Sequence, residues 1–406
     1  MASRGEINKK EIQPVLSKKW DVIPFVSSIE NIGTFPKVKT SDCFEEGTYP
    51  VVDQSEKDIT GYINNEELLY KGDLPIIIFG DHTRNIKYVD FPFAAGADGT
   101  KILHTTSILD SKFFYYYLKS LQIPNLGYSR HYSILKQLDV PVPSLNEQKQ
   151  IAEKLDKLFD QIETIKEASN KIPELLKNFR QQVLTYAVTG KLTDSDYESW
   201  ELKTLDEIAI PKAGYAFKAT DFIDNGIQVI RMGNLYDNKL SLDRNPVFVP
   251  ENYDTDIIER SRVKRNDILL TLTGTKYKRD YGYAIKIDTD EVLLLNQRIL
   301  SLTPLIDPDY LLLVLRSDEF RNQFFEFETG GVNQGNVGVK NVMTIKLHIP
   351  SPRIQEEIVR RTKILFNILD NVERRCNILC EKLDKLPQAL LGKAFKGELT
   401  NYIKEC

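Results

Sequence analysis

Cysteine, histidine and tryptophan are scarce in this chain. Its 406 residues hold 4 cysteines, 4 histidines and 2 tryptophans. Four cysteines would staple very little of such a length, so a disulfide scaffold is excluded. Cys376 and Cys380 stand one helical turn apart, and no other cysteine or histidine shows zinc-ligand spacing, so no metal site is expected. No apolar run of about 18 residues occurs, and Met1 to Gln13 lacks the apolar stretch of a secretion signal. A soluble, cytoplasmic protein without a membrane partner is expected. Net charge is also small: 54 Lys and Arg face 58 Asp and Glu, leaving −4. The basic excess that commonly marks nucleic-acid binding is therefore missing from the chain as a whole.

What the chain has instead is a repeat. One segment runs from Pro143-Ser144 to Gly190-Lys191-Leu192-Thr193, and another from Pro350-Ser351 to Gly397-Glu398-Leu399-Thr400, at a constant offset of 207 residues. Gln148, Ile151, Leu158, Phe159, Leu176, Gln181, Leu184 and Ala187 recur identically as Gln355, Ile358, Leu365, Phe366, Leu383, Gln388, Leu391 and Ala394. A register held without a gap over about fifty residues marks a duplication.

Each copy has the pattern of a helix with an apolar seam. The first places Ile151, Leu155, Leu158, Ile162, Ile165, Ile172, Leu176, Phe179 and Val183 at alternating steps of four and three, with Ser169 in one weak slot. The second places Ile358, Leu365, Leu369, Val372, Cys376, Leu379, Leu383, Leu386 and Leu390, with Thr362 weak. Such spacing predicts two helices that pair as a coiled coil. A whole domain lies between them, which permits an antiparallel pair. Ser144 to Glu147 is a capping-box pattern, and Ser351-Pro352 offers an N-cap followed by proline at the first helical position. Pro173 and Pro387 fall inside the segments, where each should kink the helix or open a new one.

Between the helices lie strand-like runs and turns: Leu74 to Phe79, Asp267 to Leu272 and Tyr283 to Ile287. Both blocks open near a tryptophan, Trp20 or Trp200. Both close with a short strand into the helix, Leu138 to Pro143 or Ile345 to Pro350. The fold class is thus α+β: two globular blocks and two long helices forming an antiparallel coiled coil, with an internal pseudo-twofold repeat. The expected segments are 1–143, 144–193, 194–350 and 351–406. The order is also circular, because the residues before Trp20 and after Thr400 together resemble the linker from Thr193 to Trp200.

This pattern resembles the specificity subunit of type I restriction–modification systems over nearly the whole chain. Pro143-Ser-Leu-Asn-Glu-Gln148 with Ile151, its echo Pro350-Ser-Pro-Arg-Ile-Gln355 with Ile358, and the two Gly-x-Leu-Thr ends carry the resemblance. So do Ile78 to Arg84 continuing to Phe93–Gly99, and Gly214 to Lys218 with Arg231 to Asn234. Ile354 departs from the pattern, standing where the first copy has Glu147. The resemblance implies that each block is a target-recognition domain reading half of a bipartite double-stranded DNA site. It also implies that the helices set the gap between the halves. Two methyltransferase (modification) subunits would dock on the helices, and restriction or translocase subunits would join them. S-adenosylmethionine, ATP and Mg²⁺ would belong to those partners, with no cofactor held by this chain.

The residues can be weighed separately. A base-reading loop needs paired donors and acceptors, with cations for phosphate. Asp81, His82, Thr83, Arg84, Asn85 and Lys87 follow an apolar strand with that mixture, and Tyr128, Ser129, Arg130 and His131 form a second cluster. In the other block Lys218, Arg231 and Asn234 are candidates. So are the basic run Thr275, Lys276, Tyr277, Lys278 and Arg279 and the polar Gly-rich stretch with Asn333, Gln334 and Asn336. Catalytic patterns fail. Glu147-Gln-Lys149 matches a nuclease Glu-x-Lys only superficially, since it opens a helix where that chemistry wants a strand. Asn245-Pro-Val-Phe248 lacks the second proline of an amino-methyltransferase motif, and no Gly-rich cofactor loop follows a strand. A non-enzymatic DNA-recognition subunit is therefore expected, with a DNA nuclease or methyltransferase bearing fused recognition domains as the alternative. The acidic residues concentrate partly on the helices, and the basic runs lie in the blocks, so a net −4 averages two surfaces with opposite tasks.

Overall fold

The computed structural model describes residues 8–399 except 98, 128, 277, 332 and 333. The chain divides into two compact units. One takes the residues up to Asn170 with those from Asn377 onward, and the other is Lys171–Cys376. Each long helix is thereby shared between the units, rather than forming a separate segment as the sequence suggested.

In the first unit the opening strand Asp21–Pro24 pairs antiparallel with the closing strand Asp139–Val142, Asp21 opposite Val142. Ile76–Gly80 is the centre of a three-stranded antiparallel sheet, flanked by Ile86–Val89 and Thr100–Leu103. All five of its residues are buried, which explains a continuous apolar run instead of alternation. A smaller sheet holds Gly61–Ile63, Tyr49–Val52 and Ala94–Ala95. Helix Ser111–Ser120 buries Phe113, Phe114 and Tyr117 in a core that also contains Ile151, Leu155, Leu391, Ala394 and Phe395. Parts of both long helices are thus built into this core.

The second unit repeats that frame. Glu201–Thr204 pairs antiparallel with Lys346–Ile349. Ile268–Thr271 lies between Ile299–Pro304 and Ala284–Lys286 in a four-stranded sheet. Another four-stranded sheet contains Ile227–Ile230 beside Leu293–Leu295. Helix Pro308–Arg316 contributes Tyr310 and Leu311 to a core shared with Leu184, Ala187, Val188, Ile358 and Val359. The α+β class holds in both units.

The repeated glutamine has one job in both copies. Gln148 is fully buried. Its Oε1 accepts from the Asp110 backbone N–H at 2.7 Å, and its Nε2 donates to the carbonyls of Pro143 (2.8 Å) and Ile108 (3.0 Å). Gln355 accepts from the Asp307 N–H at 3.2 Å and donates to the Pro350 carbonyl at 2.8 Å. Asp110 and Asp307 in turn cap helices 111–120 and 308–316. One carboxamide therefore ties the long helix, the closing strand and the domain helix together.

The copies differ at one slot nearby. The Trp20 indole N–H donates to Glu147 at 3.3 Å. In the second copy Ile354 occupies the Glu147 slot, and the buried Trp200 Nε1 has no partner. Ser144 Oγ accepts from the Glu147 N–H, half of the expected capping box. The repeated glycines end the helices in the same way, Gly190 and Gly397 both at φ 75°. The Ser17 N–H donates to the Phe395 carbonyl at 2.8 Å, joining the N-terminal residues to the end of the second helix as the circular order predicts.

The helices depart from expectation in two ways. Leu145–Val188 and Pro352–Phe395 each run unbroken through their internal proline. Proline removes one backbone bond and crowds the preceding turn, costing about 3 kcal/mol, which the packing around the helices outweighs. Pairing is antiparallel within each unit. In the first, Lys166 meets Asp384 at 2.9 Å and Lys154 reaches the Leu399 carbonyl. In the second, Arg180 meets Asp370 at 2.5 Å and Arg361 reaches the Leu192 carbonyl.

The other departure is which slots are covered. Leu155, Ile162, Ser169, Leu176 and Val183 are buried, one residue in seven, as are Gln355, Thr362, Leu369, Cys376 and Leu383. The supposedly weak Ser169 and Thr362 belong to these lines. Ile151 and Ile358 are buried against the domains, and Leu158 and Leu365 half-buried. Ile165, Val372 and Leu379, expected in the seam, are 43%, 41% and 41% exposed. Two helices cover one line fully. The second line is covered where Ile151 and Ile358 enter the domain cores, and Ile165, Val372 and Leu379 lie at its exposed flank.

Candidate nucleic-acid interface

The first unit gathers its two candidate loops at the end of strand Ile76–Gly80. The Asp81 carbonyl accepts from the His131 backbone N–H (2.8 Å) and ring Nδ1 (2.9 Å), and the Asp81 carboxylate accepts from the Tyr132 N–H at 2.8 Å. Gln54, which sequence reasoning missed, organises the rest. Its side chain accepts from the His82 N–H at 3.1 Å, and its carbonyl accepts from Thr83 Oγ1 and Asn85 Nδ2. Arg84 turns through a left-handed φ of 64° and donates to the Ile123 carbonyl at 2.9 Å.

Burial narrows the candidate list. Asp81, Lys87 and His131 are 3%, 9% and 0% exposed. Burial pulls the Lys87 ammonium below the usual lysine range against the nearby Asp53 carboxylate, and the amine donates to the Lys57 carbonyl. These three side chains hold the loops together and cannot reach a base edge while the unit stays folded. His82, Arg84 and Asn85 are half-buried, whereas Thr83, Ser129 and Arg130 are exposed. Tyr128 lies outside the described residues.

In the second unit Thr273–Gly274 pairs antiparallel with Gly335–Asn336, which brings the basic run beside the Gly-rich stretch. Lys276 Nζ donates to the Gly330 carbonyl at 3.2 Å, and the Thr275 N–H to Asp280 at 2.6 Å. Lys278, Arg279, Gln334 and Asn336 are exposed, the Arg279 guanidinium lying 4.9 Å from the Phe325 ring centroid. Tyr277 and Asn333 lie outside the described residues. Asn234 is 2% exposed and structural: it accepts from the Arg231 N–H and donates to the Ser241 and Arg244 carbonyls. It too leaves the DNA-facing set. Lys218 is exposed.

A family model described as the type I restriction–modification DNA specificity domain matches residues 19–174 and again 197–379. The chain belongs to that family. Among relatives of this type I specificity chain, the EcoBI specificity subunit of Escherichia coli is 29% identical over 269 residues, 60% of this chain and 54% of that protein. The EcoKI specificity subunit of Escherichia coli strain K12 is 27% identical over 257 residues, with the same two coverages. The chain spans about half the length of the curated relatives it matches. The fold is that of the HsdS subunit from Thermoanaerobacter tengcongensis, at a TM-score of 0.64 and 14% identity, covering 94% of this chain and 98% of that one. Among the described residues, no helix of the type I specificity chain is long and apolar enough to cross a membrane.

Arg244, Gln297 and Arg298 are exposed polar residues that the sequence did not single out. The signal was present: Asn296-Gln297-Arg298 follows the buried strand Leu293–Leu295 directly, the same strand-into-polar-loop pattern that singled out Asp81 to Asn85.

Proposed function

We propose that this chain is the sequence-specific DNA-recognition subunit of a type I restriction–modification complex. The observation that carries this reading is the duplication itself. Two units share one frame of paired end strands, capped helix and buried glutamine, yet present different polar loops. Each unit then reads one half of a bipartite site, and the antiparallel helices set the unread gap. One heptad of helix is about 10.5 Å long, about three base pairs of duplex. The flank positions Ile165, Phe179, Val372 and Leu379 give the helices an apolar surface on which modification subunits dock. Restriction subunits complete the assembly.

The chain itself does no chemistry in this account. S-adenosylmethionine, ATP and Mg²⁺ act on the partner subunits. Glu147 of the Glu-x-Lys triplet accepts the Trp20 indole proton and opens a helix, which supports a structural role. Deleting a matched heptad from both helices, in a complex with the modification subunits, tests the reading. The preferred gap should shorten by about three base pairs with both half-sites unchanged. Altered half-sites at an unchanged gap would contradict it. Purified chain alone, given S-adenosylmethionine or Mg²⁺ and ATP, should neither methylate nor nick DNA.

A further inference from the structure

The second unit contains a cleft of about 490 Å³ that carries an unusual charge. Arg231, Arg244 and Arg298 line it, together with Asn245, Gln297 and Phe222, and among the described residues no carboxylate does. The first unit has a cleft of about 470 Å³ lined by Glu30, Asp73, Lys71 and His104, with Glu30 bonded to His104 at 3.1 Å. In a chain with a net charge of −4, an opening lined by three arginines and no carboxylate among the described lining residues is a local reversal of sign.

The cleft is built rather than incidental. Asn234 donates to the Ser241 and Arg244 carbonyls at 3.0 and 2.9 Å and accepts from the Arg231 N–H at 2.9 Å, holding both arginine-bearing segments together. Arg231 donates to the Asn245 carbonyl at 2.8 Å, and its guanidinium lies 5.8 Å from the Phe222 ring centroid. On the other side, the Gln297 N–H donates to the Tyr215 carbonyl at 3.0 Å and the Asn296 N–H to the Ile230 carbonyl at 3.1 Å. A Cβ at Gly214 would stand 2.1 Å from the Asn296 carbonyl oxygen, so this close approach requires glycine. The turn is fixed by backbone, and its side chains are spare. Arg244, Gln297 and Arg298 are exposed and bond to no other side chain among the described residues.

A guanidinium offers paired donors that match phosphate, and a carboxamide matches the adenine edge at N6 and N7. Resting on the recognition reading above, we propose that this cleft is where the second unit grips its half-site. Arg244 and Arg298 neutralise backbone phosphates, and Gln297 reads a base edge between them. The basic turn at Lys278 and Arg279 is then peripheral.

The test uses the full chain with its modification subunits and a duplex bearing the mapped site. Apparent affinity is titrated against salt for wild type, Arg244→Ala, Arg298→Ala, their double variant, and a Lys278→Ala/Arg279→Ala control. Each phosphate left without its arginine lowers the log–log salt slope by about 0.9, so the double variant should drop by about 1.8. The control should keep its slope. Gln297→Ala should relax discrimination at one base pair of the second half-site, with the first half-site read as before. Arg298→Lys, which keeps the charge, should restore the slope and so separates removal of the cation from failure to fold. An unchanged slope in the double variant, or a fall in the control alone, overturns the cleft assignment while leaving DNA recognition standing. Wild type that fails to prefer the mapped site overturns the recognition reading and the cleft with it.

Discussion

Replacing Gln148 by leucine should weaken the first unit more than the equivalent Gln355→Leu weakens the second. Gln148 makes three hydrogen bonds to backbone groups, from the Asp110 N–H and to the carbonyls of Pro143 and Ile108. Gln355 makes two, from the Asp307 N–H and to the Pro350 carbonyl. A net hydrogen bond contributes about 1 kcal/mol, and a buried leucine returns about 1 kcal/mol of apolar burial. The expected losses are therefore about 2 kcal/mol for Gln148→Leu and about 1 kcal/mol for Gln355→Leu. The two sites share no partner, so the double variant should lose the sum, about 3 kcal/mol. Urea unfolding gives the magnitude, and amide hydrogen exchange locates it. Protection should fall around helix 111–120 in the first variant and around helix 308–316 in the second. A change under about 0.5 kcal/mol for Gln148→Leu, or loosening spread evenly over the chain, would refute the assignment of these glutamines as ties.

Thr362 is 1% exposed and its hydroxyl has no hydrogen-bond partner. Thr362→Val keeps the shape and should raise stability by about 1–2 kcal/mol in urea unfolding, and a lowered midpoint would contradict this. Glu147→Ile copies the second repeat and orphans the Trp20 indole N–H, so the melting temperature should drop by the equivalent of about 1–2 kcal/mol. Burial alone would push the Asp309 carboxyl up, but hydrogen bonds from Lys286 and Lys363 hold it below the usual carboxylate range. A depressed folded pKa stabilises above the unfolded value of about 3.9, and that stability is lost as pH falls through the folded value. Thermal unfolding between about pH 5 and pH 2 should therefore show a shallower acid decline for Asp309→Asn than for wild type.

The parts legible in the sequence are those set by local spacing. The duplication, the two long helices, the closing strands and the strand at Ile76–Gly80 all follow from residue order, whereas the pairing of each closing strand with an opening strand does not. Pro173 and Pro387 open no new helix, because the penalty of a lone proline is judged against an isolated helix and these helices are held by their partners. Heptad spacing placed the seam but could not tell which of its two lines a partner covers. That choice left Ile165 exposed and Ser169 buried. The loops failed for a related reason. Residue type announces hydrogen-bonding capacity without saying where it is spent, and Asp81, Lys87, His131 and Asn234 spend theirs inside. Conversely Gln54 has the residue type of any loop position, and only the fold brings it to His82, Thr83 and Asn85.

On the proposed function, each unit reads one half of a divided site at a distance set by the helices. Mapping every methylated base in DNA exposed to the complex carrying this chain tests it most directly. Two short defined sequences separated by a fixed run of arbitrary bases are expected, with one modified base in each. A single continuous motif, or a divided motif whose gap varies freely, would contradict it.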